Sequence, residues 1–269
     1  MLDCLQRWMG RGVSPSDAVM FRTATLCDVG LVRTENQDHF LCHPETGLFC
    51  VADGMGGGKD GGLASQWTCA AVDAVARPPT SIEAFRNDVD AALRQVNTRI
   101  RTHAVQHGYA MMGTTLALLY VNPQMPTLGW VCHAGDSRIY RLRGGRLDPL
   151  TIDHTVGNAL GRASFDDGQA QTLMSRQNPL SHILTRAVGT ERRVNPEWRK
   201  VDVFRGDRYL LCSDGVHDTL SNDFLRRAMA KSANPERVVE KIAEAVRRNG
   251  AADNYTIICA FVNPGGCGR

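Results

Sequence analysis

Apolar residues fall along this chain in two rhythms. One is a set of short, nearly unbroken apolar runs, among them Leu48–Ala52, Trp130–Ala134, Tyr209–Cys212 and Tyr255–Cys259. Runs of that length bounded by turn-forming residues read as buried strands. On this basis strands are predicted over 20–29, 38–52 with a turn at Glu45-Thr46-Gly47, 113–121, 127–134, 137–143, 197–204, 207–213 and 255–262, and Gly144-Gly145 reads as a tight hairpin turn. The second rhythm is helical. Small and apolar residues recur at helical spacing over 63–77. Thr80 with Glu83 forms a capping box, and the helix after it carries Phe85, Val89, Leu93, Val96 and Ile100 as a core-facing stripe. Asn234-Pro235-Glu236 starts another helix, whose buried face is Val238, Val239, Ile242, Ala245 and Val246. Residues 151–190 keep neither rhythm and read as a polar surface subregion with short helices. Strand pairs interrupted by helical hairpins imply antiparallel sheets covered by helices.

Composition narrows the class. With 269 residues, 43% of them hydrophobic and 22% charged, the chain has material for a full core, and no linker, repeat or low-complexity tract divides it. A formal charge of +3 with scattered Lys and Arg gives no support to a nucleic-acid partner. Nine cysteines include no C-x-x-C pair, and Cys50, Cys132, Cys212 and Cys259 lie inside apolar runs. They read as buried reduced thiols, which fits a reducing cytoplasm. Residues 1–19 mix Asp3, Arg7 and Arg11 with Leu2, Leu5, Trp8 and Met9 at helical spacing, and are expected to be a weakly ordered extension; 264–269 form a tail. No stretch approaches the ~18 apolar residues of a membrane span. The expectation is a cytoplasmic monomer without a membrane partner.

The chemistry lies at the edges of the apolar runs. Asp53, Asp136, Asp214 and Asp253 each stand at such an edge beside a turn-forming residue. Four carboxylates brought into one small volume would repel one another and raise each other's pKa values unless a cation lay between them. All-oxygen ligation selects hard ions, Mg²⁺ or Mn²⁺. The loop from Asp53 to Lys59 fails the phosphate-loop pattern, because Asp53 stands where the first glycine belongs and Asp60 follows the lysine. No βαβ unit surrounds it to support a dinucleotide site. Asp53 as a metal ligand, with glycines that let backbone approach an ion, is the sharper reading. Arg33, in the segment Arg33-Thr34-Glu35-Asn36-Gln37-Asp38, offers a planar fork that matches a phosphate dianion, against the plainer reading of a solvated face. His103 and His107 read as a solvated helix end rather than a zinc site, and His133 as a satisfied core histidine. Asp153-His154 stays open between a catalytic pair and turn capping by Asp153.

Taken together and in order, these segments resemble the metal-dependent protein Ser/Thr phosphatases of the type 2C (PPM) family, and most closely the bacterial single-domain members. The resemblance covers about residues 21–263. It rests on Asp28-x-Gly30-x-x-Arg33-x-x-Asn36-Gln37-Asp38, Val51-Ala52-Asp53-Gly54-Met55-Gly56-Gly57 and Gly113-Thr114-Thr115. It continues through Gly135-Asp136-Ser137-Arg138, Asp153-His154, Leu184-Thr185-Arg186-Ala187-Val188-Gly189, Ser213-Asp214-Gly215-Val216 and Asp253-Asn254. It implies an α+β fold, a four-layer α-β-β-α sandwich of two antiparallel sheets flanked by helices. The catalytic domain would span 20–263, with a variable flap at about 155–182.

The resemblance also implies roles. Asp53 bridges two ions, Mn²⁺ or Mg²⁺, with the Gly54 carbonyl as a further ligand. Asp214 and Asp253 complete the first ion, and Asp136 with Asp214 holds a third, weaker one. Arg33 binds phosphate, Asp38 hydrogen-bonds a metal-held water, and Gln37 and Asn254 stand just outside the ligands. Gln37 departs from the glutamate of many members, which implies a second ion that is labile or held through water. Met55 replaces the histidine of eukaryotic members, as it does in bacterial ones. The implied reaction is hydrolysis of phosphoserine or phosphothreonine by metal-activated water, on phosphoproteins made by a separate Ser/Thr kinase. A phosphoprotein-binding pseudophosphatase and a small-phosphomonoester hydrolase are the alternatives.

Overall fold

The structure, a computed structural model, describes residues 21–56, 60–76, 82–122, 127–164, 167–175 and 177–263. The extension, the tail and the Thr80 capping box lie outside the described residues. In chain order the elements are β1 (Phe21–Asp28), β2 (Asp38–His43), β3 (Leu48–Gly56), α1 (Gly61–Ala74), α2 (Ile82–Gln106), β4 (Met112–Thr114), β5 (Leu116–Val121), β6 (Leu128–Ala134), β7 (Arg138–Arg143) and β8 (Arg146–Pro149). Then come α3 (Val156–Ala163), α4 (Asp167–Met174), a 3₁₀ turn at Pro179–His182, β9 (Glu197–Asp202), β10 (Arg208–Cys212), α5 (Asp214–His217), α6 (Asn222–Lys231), α7 (Pro235–Arg248) and β11 (Tyr255–Val262).

Two antiparallel sheets result. One has the order β1-β11-β10-β7-β8; the other runs β2-β3-β5-β6-β9, with β4 paired to β3. Side chains alternate across each strand, and both faces are covered, so the apolar runs are continuous. In β3, Leu48, Cys50 and Ala52 join the cluster under α1 and α2, while Phe49 and Val51 join the cluster between the sheets. In β11, Tyr255, Ile257, Cys259 and Phe261 pack under α6 and α7, while Ile258 and Ala260 face the other sheet. The core therefore has three layers, with helices on both outer faces: the expected α-β-β-α sandwich.

The helix-start reading at Asn234 holds, since its side chain accepts from the Glu236 and Arg237 N–H groups. The predicted stripe on α2 is buried from Phe85 to Ile100. Among the described residues the cysteines are free thiols. No helix among them is long and apolar enough to cross a membrane.

Three features differ from the sequence reading. β3 does not end at Ala52 but runs through Asp53 to Gly56, because Gly54 and Gly56 still pair with Thr114 and Met112. The strand predicted over 113–121 breaks at Thr115, whose hydroxyl turns aside to accept from the Asp53 N–H at 2.9 Å. The amphipathic helix α6, capped by Ser221, is an addition.

Candidate metal centre

The period of two carries β3 from core to chemistry. Phe49 and Val51 face the other sheet, and two residues on the same face is Asp53. Its register partner on β2 is Asp38, directly opposite. Two like charges across a strand pair are destabilising, so this pairing argues for a compensating cation. From the other sheet, Asp214 begins α5 just after β10, and Asp253 precedes β11. Asp53, Gly54, Asp214 and Asp253 line a single cleft of about 500 Å³ together with Arg33, Gln37 and Asn254. Asp38 lies behind it, 4% exposed. Asp136, in the connection from β6 to β7, lines a separate cavity of about 40 Å³ with Asp153, Asp218, His182 and His217.

The electrostatics are those of an uncompensated anionic cluster. Desolvation, then the charges of Asp38, Asp214, Asp136 and Asp253, push the Asp53 carboxyl well above the carboxylate range. Asp214 is raised well above it by desolvation and then by Asp136, Asp218 and Asp253. Asp136 is raised to about 7 by burial, with Asp153 and Asp218 adding. Burial takes Asp38 up to about 6, opposed by hydrogen bonds from Ser213 and Thr256. Those hydroxyls donate to Asp38 Oδ2 at 2.6 and 2.7 Å. They leave Oδ1 buried and without a partner. An orphaned carboxylate oxygen on Asp38, beside the raised carboxyls of Asp53, Asp136 and Asp214, fits a divalent cation, whose bound charge would oppose these shifts.

Backbone geometry tightens the same place. A Cβ on Gly54 would lie 2.3 Å from the Gly61 carbonyl oxygen and 2.6 Å from that of Gln37. Only glycine fits there, which is what lets the Gly54 backbone enter the cleft. Asn254 fixes the segment that carries Arg33. It accepts from the Gln37 N–H at 2.8 Å and donates to the Val29 and Glu35 carbonyls at 2.9 Å each. The Arg33 guanidinium reaches across the cleft mouth to Asp253 Oδ2 at 2.7 Å. The Gln37 amide oxygen rests against Gly61.

Other sequence candidates resolve differently. His103 is not a solvated helix end: its Nε2 pairs with Asp60 Oδ2 at 2.8 Å, and its ring meets Trp67 edge-on. Asp153 does not cap the turn with its side chain. It is paired to Arg138, and Thr155 caps α3 instead. His133 is buried, but only Nε2 has a partner, the Ile152 carbonyl. His133, His154 and Glu197 bring ligand atoms within 4.8 Å of one another. The two rings stack at 4.4 Å and 7°, so their lone pairs run side by side rather than converging on one point. His154 Nδ1 already accepts from the Gly135 N–H, and the Arg186 guanidinium lies 3.4 Å from Nε2. This group is better suited to holding Gly135 than to holding an ion.

Fold and cleft together point to one family. The chain belongs to the protein phosphatase 2C family, whose model matches residues 32–249. It is 34% identical over 251 residues to "Serine/threonine protein phosphatase PstP" of Mycobacterium tuberculosis, a match covering 91% of this chain. It spans 45% of that relative's length. Among solved structures it is similar to "PppA, a key regulatory component of T6SS in Pseudomonas aeruginosa", at 33% identity and a TM-score of 0.79, over 91% of this chain and 99% of that one. It is also similar to the PstP catalytic domain solved "in complex with 2 Manganese ions", at 31% identity and a TM-score of 0.75, over 91% and 99% of the two chains.

Proposed function

We propose that this chain hydrolyses phosphoserine and phosphothreonine in proteins, using two bound divalent ions, Mn²⁺ or Mg²⁺, with room for a third. The observation that carries the reading is the convergence of Asp53, Asp214 and Asp253 from two different sheets on the cleft that Arg33 overhangs. Asp53 would bridge the two ions with the Gly54 carbonyl beside it, Asp214 and Asp253 would complete the first, and Asp136 with Asp214 would hold the third. Bound there, the ions supply a nucleophile at neutral pH and neutralise phosphoryl charge.

The chain's own residues do the rest. Arg33, released from Asp253, has its donor fork at the mouth to hold phosphoryl oxygens. Asp38 Oδ1, the orphaned acceptor, would orient a water and take up its proton. Asn254 keeps the Val29–Gln37 segment at the spacing both require. Thr155, Asn158, Met174, Ser181 and His182 line the Asp136 cavity, which supports reading the region at about 155–182 as a flap beside the site. Phosphoprotein substrates imply a separate Ser/Thr kinase that makes them.

The test is hydrolysis of a phosphothreonine peptide against sugar phosphates, with Mn²⁺ present. Asp53→Asn should lower kcat by at least about 10³-fold, as expected when a group stabilising transition-state charge is lost. Arg33→Ala should act chiefly on KM. Normal turnover by purified Asp53→Asn protein, or a preference for sugar phosphates, rejects the proposal.

A further inference from the structure

Most arginines near the cleft are neutralised, as Arg33 is by Asp253 and Arg138 by Asp153. One group is not. Arg192 and Arg193 are exposed neighbours, and neither side chain forms an ion pair or hydrogen bond among the described residues. On α2 neither Arg94, exposed, nor Arg101, half-buried, has a side-chain ion pair or hydrogen bond among the described residues. The sequence scatters these four; the fold gathers them.

The gathering is done by Asn97, which is 1% exposed on α2. Its Oδ1 accepts from the Gly189 N–H at 2.7 Å, and its Nδ2 donates to the Glu191 carbonyl at 3.1 Å. Further on, Trp198 Nε1 donates to Asp90 Oδ1 at 2.8 Å, so the segment from Gly189 to Trp198 runs back along one stripe of α2. Arg94 and Arg101, three residues before and four after Asn97, lie on that stripe. The segment is also tied to the catalytic strand. Val188 and Thr114 exchange backbone hydrogen bonds of 2.8 Å, and Thr114 pairs with Gly54. Two strand spacings, about 10 Å, thus separate Val188 from Gly54.

We propose that Arg192 and Arg193, backed by Arg94 and Arg101, form an anion-binding rim that takes a second anionic group of the same substrate chain. That group is a side-chain carboxylate or another phosphate, roughly three to five residues from the scissile phosphoresidue at the rise of an extended chain. The inference rests on the phosphatase reading and adds a substrate class to it. Of the two carboxylates in the segment, Glu197 is drawn to His154 Nε2 at 3.3 Å, and no ion pair among the described residues draws Glu191 onto the arginines. Uncompensated like charges within a Debye length of about 8 Å sum their fields, so an anion gains from several at once. The buried clamp fixes the backbone that carries the rim, so the freedom lost on binding is that of the side chains alone.

The experiment compares three phosphothreonine peptides: one neutral, one with glutamates four residues away, one with a second phosphothreonine there. Wild type and the Arg192→Ala/Arg193→Ala protein are measured for kcat and KM with Mn²⁺, and for binding by fluorescence anisotropy. Wild type should prefer one or both anionic peptides, with KM lower by roughly three- to tenfold, the range of a few exposed charge pairs. The double variant should lose that preference while its p-nitrophenyl phosphate turnover is unchanged. Preference for glutamates alone or for the second phosphate alone identifies the source of the anion. Equal KM for all three peptides in wild type, or a preference that survives in the variant, overturns the rim. Tighter binding of a single-stranded RNA, lost in the variant, assigns the patch to nucleic acid and overturns it too. Should wild type hydrolyse nothing, the phosphatase reading fails, and the anisotropy series alone decides the rim.

Discussion

Single residues decide whether this cleft can exist, and Gly30 shows how. Its φ is +80°, and a Cβ there would fall 2.3 Å from the Asp253 carbonyl oxygen and 2.6 Å from that of Ala251. Gly30→Ala should therefore cost about 2–4 kcal/mol through a left-handed backbone and overpacking. It should weaken Mn²⁺ binding as well, because the displaced residue, Asp253, carries a proposed ligand; urea unfolding and calorimetric titration check both. His154 gives a pH signature. Burial first, then His133 alongside, lower it to about 4 from its usual 6.5. Between those values the unfolded chain binds a proton that the folded one refuses, so stability is complete above about 6.5 and drains away as pH falls toward 4. His154→Gln should flatten that part of the urea-stability profile by on the order of 2–3 kcal/mol; an unchanged slope rejects the assignment. The acids were legible in the sequence because each interrupts an apolar run at its edge. Their supporters were not. Ser213, Thr115 and Thr256 sit where a strand simply continues, and a one-dimensional pattern does not say that their hydroxyls meet Asp38 and Asp53.

Elements place those residues, and most were readable because two-sided burial writes long apolar runs. The α2 stripe is the strongest case. Phe85 stacks on Tyr120 of β5 at 4.0 Å and is 1% exposed. Phe85→Ala should cost about 3–5 kcal/mol and leave kcat at saturating Mn²⁺ unchanged, since the ring lies on the helix side of the sheet, away from the cleft. A matching loss of kcat would show that α2 tunes the chemistry. What stayed unread at this scale has a common cause. The extension of β3 to Gly56 and the break at Thr115 both depend on partners distant in sequence, β4 and the Thr115 hydroxyl. Helix α6 carries a local cap, Ser221, but only a short apolar face, Leu225, Ala228 and Met229, which is a weak periodic signal.

At the scale of the whole molecule, the acids of the proposed site are shared between sheets. Asp38 and Asp53 belong to one, Asp214 and Asp253 adjoin the other, and Asp136 sits on the connection that passes between them. Chelation with EDTA should lower the melting temperature at pH 7.5. At a hundredfold excess of Mn²⁺ over its dissociation constant the linkage is about 2.7 kcal/mol, or roughly 5–10 °C. A melting point indifferent to the ion would mean that the proposed ligands do not bind it in the native state. Two leaves joined at one rim by the proposed cations would behave like a book held at its open edge by a rivet. Drawing the rivet frees the leaves to slide, and amides in β2 and β3 should then exchange with solvent in step with those of β10 and β11. In such a molecule scarcity of manganese or magnesium is felt as loosened architecture as well as lost turnover, and a protease could sense it.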